Sequence, residues 1–148
     1  MGLLYRYIEG DDLVVTVGNG AITAQVLAAF AEEQIRDPRW PFGRRRLADM
    51  TTVTSQLNVE DAETVASMYG NASPTLHGVR QAIVASTHWE RAKAFEERID
   101  TFGMATMLFF VLPTACSWLG VKVEDVQPVV DDLRHQLRTA NSARSDSA

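Results

Sequence analysis

Two short stretches gather the side chains of this chain that could do chemistry. Asp49, Thr51, Thr52, Thr54 and Ser55 follow the pair Leu47-Ala48, and Ser86, Thr87 and His88 follow Ala82-Ile83-Val84-Ala85. Each stretch reads as the exit of a β-strand into a loop. In open α/β sheets ligands meet the protein at the carboxyl ends of strands, so a carboxylate, several hydroxyls and an imidazole on one edge could line a shared crevice. The same residues have a plainer use. Asp49 can cap or anchor its loop, and His88 can be an exposed residue of a helix's first turn; the plainer use is favoured for both.

Other chemistries find less support. His77, His88 and His135 show no ligand spacing with one another or with Cys116, so no metal site is expected. Cys116 lies within Ala115-Cys116-Ser117-Trp118-Leu119, a helical stretch whose thiol should serve the core as a small apolar group. Gly18-Asn19-Gly20 has the look of a dinucleotide-binding turn, but Thr23 stands where the third glycine belongs, and a simple turn accounts for the glycines. With no nucleophile elbow, phosphate-binding loop or paired-carboxylate motif, neither an enzyme nor a cofactor is expected. Arg36, Arg39, Arg44, Arg45 and Arg46 place five cations within eleven residues. They could hold phosphate or an acidic partner, but a solvated loop leading into a strand is the favoured reading. Trp40-Pro41-Phe42 beside them either covers the end of a sheet or offers a contact surface.

The elements that must position these residues follow from pattern. Leu4–Glu9 and Leu13–Val17 form an antiparallel hairpin around Gly10-Asp11-Asp12, and Gly18-Asn19-Gly20 breaks its second strand. Thr23 caps a helix over Ala24–Ile35. The central strand, Arg44–Val53, follows a turn rich in Pro and Gly. Asn58 caps a second helix, buried along Ala62, Val65, Ala66 and Tyr69. Val79–Ser86 is the next strand, followed by a helix with Ala92, Phe95, Ile99 and Phe102 on one face. Thr106–Leu112, continuously apolar, reads as a strand covered on both faces. Pro113 opens a short helix that Gly120 ends. A last helix within 124–138 carries Val126, Val129, Val130, Leu133 and Leu137 on one stripe, which suits either its own sheet or a twin in a homodimer. Residues 139–148 read as a disordered tail. Trp89, Trp118, Phe109 and Phe110 are core candidates.

The chain of 148 residues is therefore expected to form one α/β domain over 1–138, with a mixed sheet of about five strands. A lone cysteine rules out an intrachain disulfide and suits the cytoplasm. Met1–Arg6 lacks the pattern of a signal peptide, and the apolar run Met104–Pro113 is about half of what a bilayer-spanning helix needs. A formal net charge of −5 argues against a general nucleic-acid binder.

This order of elements resembles the STAS fold, and more closely the SpoIIAA-like family of small bacterial proteins. The likeness rests on Leu13–Gly18 followed by Thr23 at a helix start, Leu47-Ala48-Asp49-Met50-Thr51 leaving a strand through an Asp, Ala82–Ser86 as the next strand, and Ala115–Gly120 as the closing helix. It spans residues 3–120, about four fifths of the chain. The resemblance implies a regulatory or protein-interaction module, binding a protein partner through the loop from Asp49 to Asn58. Anti-sigma-factor antagonists of this fold are phosphorylated on a Ser in an Asp-Ser-x-Gly-type turn. Here Thr51–Asn58 has neither the Asp-Ser pair nor the Gly, leaving Ser55 and Thr54 as the candidates. Other relatives bind lipids or small apolar ligands, and the alternative expectation is such a domain, with an apolar pocket beside the strand ends.

Overall fold

A computed structural model of the chain describes residues 2–54, 58–72, 76, 78–87 and 89–147, with side chains described as far as residue 140. Ser55, His77 and His88 lie outside the described residues. Strand β1 (Gly2–Ile8) turns through a single 3-10 turn (Glu9–Asp11) into β2 (Leu13–Gly20), and helix α1 (Ala24–Arg36) leads to β3 (Arg45–Val53). Then come α2 (Val59–Ala72), β4 (Arg80–Val84), α3 (Trp89–Asp100), β5 (Ala105–Phe109), α4 (Leu112–Leu119) and α5 (Val123–Ser147). The sheet runs β1-β2-β3-β4-β5, antiparallel at the hairpin and parallel elsewhere, so β3 is its middle strand as expected.

Local chemistry explains several boundaries. The Thr23 hydroxyl accepts from the Val26 amide at 3.1 Å and so caps α1. At α2 the Asn58 side chain accepts from the Asp61 amide at 2.8 Å, while the Asp61 carboxylate accepts from the Asn58 amide at 3.1 Å, a reciprocal cap. Pro113 sits in the first turn of α4, and Gly120 closes it at φ 77°, a left-handed position that suits glycine.

Strand alternation sorts the core into two layers. Val15, Val17, Leu47, Ala82 and Val84 pack with α4 and α5, against Ala115, Leu119, Val126, Val130, Leu133 and Leu137. Helices α1, α2 and α3 cover the opposite face, where Ala31, Val65, Ala66, Tyr69 and Ile99 form a second cluster. Cys116 is buried in the first layer and burial pushes its thiol up to about 11, which suits an inert group.

Two expectations need correction. Gly18-Asn19-Gly20 does not break β2, which runs to Gly20. Val17 pairs with Asp49 but Asn19 with Thr52, so β3 carries one extra residue and bulges there. A Cβ at Gly18 would lie 2.7 Å from Val53 Cγ2 and 2.8 Å from Met50 Sδ, so glycine lets the bulged strand approach. Strand β5 is an edge strand and is not covered on both faces: Met107 is 48 % exposed, Phe110 67 % and Val111 53 %, so Phe110 is not a core residue. The apolar run is cut at Phe109 because the next residues turn into α4. The α5 stripe packs on its own sheet, one of the two placements expected of it. Helix α5 continues to Ser147, through residues that include neither Pro nor Gly to stop it. Among the described residues, no helix is long and apolar enough to cross a membrane.

Candidate functional site

The residues singled out from sequence divide between structural duties and exposed positions. Asp49, 4 % exposed, faces α5. Its carboxylate accepts from the Thr51 amide at 3.0 Å and the Thr51 hydroxyl at 2.6 Å, and pairs with Arg134 Nη2 at 3.3 Å. The Thr52 hydroxyl donates to the Gly18 carbonyl at 2.9 Å. Together these bonds knit the bulge and fasten α5 to the middle strand. The Thr54 amide donates to the Gly20 carbonyl at 2.9 Å, leaving its side chain exposed. Ser86 and Thr87 are exposed beyond the end of β4. Among the described residues, no hydrogen bond or ion pair joins Asp49 to Ser86 or Thr87, and no group of His, Cys, Asp and Glu could hold a metal ion.

The opposite face of the sheet holds what sequence reading missed. Between the sheet and α1, α2 and α3 lies a cavity of about 190 Å³. Leu27 and Phe30 of α1, Val65 of α2, Phe95 of α3, and Met50 and Ile83 of the sheet give it apolar walls. The bulge matters here: Met50 and Val53, three residues apart, both line the cavity, which regular alternation would forbid. Thr87 reaches it as well, so one of the sequence candidates does border this space.

The polar part of the lining comes from Arg46, Gln34, Gln81 and Tyr69, joined by Thr16, Thr87 and Arg91. Arg46 and Gln81 are paired across the β3–β4 ladder, which puts them side by side on one face. Gln34 comes from the last turn of α1 and Tyr69 from the buried stripe of α2. Arg46 is only 7 % exposed and Gln34 wholly buried. Arg46 Nε donates to Gln81 Oε1 at 3.1 Å, and Nη2 donates to Gln34 Oε1 at 3.2 Å, which also accepts from the Tyr69 hydroxyl at 2.6 Å. The guanidinium rests against the Trp40 and Tyr69 rings, 5.3 and 5.2 Å from their centroids. Among the described residues, no carboxylate lies within ion-pair distance of it. Three buried donors here are left without a partner: Arg46 Nη1, Gln34 Nε2 and Trp40 Nε1. Burial lowers the Arg46 pKa, since the charged form loses its water, and burial pushes the Tyr69 hydroxyl up to about 12 against the opposing pull of Arg46.

The other arginines of the basic run behave as a solvated loop should. Arg39 pairs with Asp37 at 2.8 Å, Arg45 Nη1 donates to the Asp11 carbonyl at 3.1 Å, and Arg36 and Arg44 are exposed. Phe42, 1 % exposed, packs edge-on against Tyr5, and Trp40 stacks on Tyr69, so Trp40-Pro41-Phe42 covers the end of the sheet.

No family model matches the sequence, and no curated protein does. The fold is similar to that of an uncharacterised DUF3478-family protein with a SpoIIAA-like fold from Shewanella loihica PV-4, at a TM-score of 0.52 and 13 % identity. The match covers 80 % of this chain and 94 % of that one. The resemblance drawn from sequence therefore holds at the level of the fold: the chain has a SpoIIAA-like α/β fold.

Proposed function

From a SpoIIAA-like domain that is hollow under one face of its sheet, we infer a small-molecule-binding protein whose ligand lies between the sheet and α1, α2 and α3. The single observation that carries this reading is the cavity, with apolar walls and a few converging polar groups. Water gains few hydrogen bonds against Leu27, Phe30, Val65 and Phe95, so an apolar body displaces it favourably. The Asp49–Thr51 cluster is already satisfied by its own bonds and by Arg134, which supports anchoring more than ligand binding.

Native mass spectrometry of protein purified gently from its source cells tests this reading. The expected result is a discrete small-molecule mass on the unmodified chain. Ala92→Leu, which fills part of the cavity from α3, is expected to fold and to lose that mass. Equal retention by both proteins would place the ligand elsewhere and end the reading.

A protein-interaction role is the second reading, favoured by the exposed Met107, Phe110 and Val111 at the free edge of the sheet. An unpaired edge strand can accept a strand from a partner. Under this reading Met107→Arg abolishes copurification of a specific partner while leaving the cavity intact. An unchanged partner would refute it.

A further inference from the structure

Arg46 is a cation in the interior with no anion to answer it. Two of its nitrogens bond to neutral amide oxygens, and the rings of Trp40 and Tyr69 attract it without cancelling its charge. The two donors already on Gln34 Oε1 fix the orientation of that amide, so its NH2 group is the part left over. Trp40 Nε1 is a third donor in the same state, on a ring the guanidinium touches. Three unpartnered donors around one positive charge form a site for an acceptor that carries negative charge. Such an arrangement is expensive to keep if nothing ever fills it.

Resting on the cavity reading above, we propose that the ligand is a small monocarboxylate, its head group accepting from Arg46 and Gln34 and its hydrocarbon body filling the apolar cavity. The charge argues for a monoanion. Arg46, the buried cation of the lining, neutralises one carboxylate, and Arg91, the second cation there, is half-buried and already engaged, whereas a doubly charged phosphate would leave net charge among apolar walls. The size argues for a compact body, since an apolar cavity of about 150 Å³ accommodates benzene and this one is about 190 Å³. Arg46 and Gln34, which carry two of the three unpartnered donors, both line the cavity; the donor atoms themselves are buried, so binding entails a local shift of these side chains.

The test compares acids with their neutral counterparts on the full chain: hexanoate and benzoate against hexan-1-ol and benzyl alcohol, by calorimetry and NMR shift titration at pH 7. Each acid is expected to bind about tenfold or more tightly than its alcohol, because a hydrogen bond to a charged group discriminates at that level. Arg46→Gln should remove this preference, and Arg46→Lys should restore part of it. Alcohols that bind as well as acids, or an Arg46→Gln protein that keeps the preference, would overturn the carboxylate proposal and leave the cavity reading standing. If neither acid nor alcohol binds, both fall. Should Arg46→Gln fail to fold, the acid-to-alcohol ratio of the unaltered protein still decides.

Discussion

The two faces of the sheet solve the same packing problem in opposite ways. Under α4 and α5 the space is filled by interdigitating Val, Leu and Ala, and the charged pair there, Asp49 with Arg134, carries its own counter-ion. Under α1, α2 and α3 the packing leaves a hollow, and Arg46 has no counter-ion. Both charges stand on β3, only three positions apart, yet strand alternation sends them to opposite faces. The filled face is organised for stability, and the hollow one leaves both volume and charge to be completed by something else.

The largest effect should come from opening the completed pair. Arg134→Met leaves Asp49 buried without its cation, and unfolding in urea is expected to show a loss of about 3 kcal/mol. The same exchange on the hollow face should go the other way. Arg46→Met removes a buried charge that has no ionic partner, so ligand-free protein should be unchanged or about 1 kcal/mol more stable. A loss at Arg46 as large as that at Arg134 would erase the contrast between the faces. The smallest effect concerns an ion pair outside both layers. Arg39 holds the Asp37 carboxyl well below the usual carboxylate range through side-chain and backbone hydrogen bonds, and the Tyr5 hydroxyl adds a further bond. Because the folded pKa is the depressed one, the stability it contributes is complete above the ordinary value of about 3.9 and is lost as pH falls through the folded value. A carboxyl-carbon NMR titration should find Asp37 ionised at a pH where a peptide aspartate is protonated, and Arg39→Leu should raise its midpoint. An ordinary midpoint in the unaltered protein would contradict the pairing.

Much of the fold was legible because its signals are local. Thr23 caps α1, Ala62, Val65, Ala66 and Tyr69 form the buried stripe of α2, and Gly120 ends α4, each readable within a few residues. Gly18 was misread because its reason lies in another strand: only the approach of Met50 and Val53 shows why a side chain is excluded. Arg46 was hidden in a run of three arginines whose composition suggests solvent. Alternation along β3 was the available clue, since Arg46 shares the face of Ala48 and Met50, both cavity residues. Its partners could not be read locally, because Gln34, Tyr69 and Gln81 come from three other elements. Gln34 was the second clue, since it follows Phe30 and Ala31 at the four- and three-residue spacing of one helix face.

The placement of the three tryptophans gives each region an optical reporter. Trp40 lies against Arg46, which lines the cavity, Trp118 lies in α4 with the Arg80 guanidinium 4.1 Å from its ring centroid, and Trp89 meets Phe110 beside the free edge. Replacing two of the three with phenylalanine leaves a chain whose fluorescence reports one locality. Emission from Trp40 then follows changes beside the guanidinium, Trp118 follows the filled layer, and Trp89 follows the edge. Occupation of the hollow, melting of the packed side and capture of a strand become separable signals within one unlabelled polypeptide.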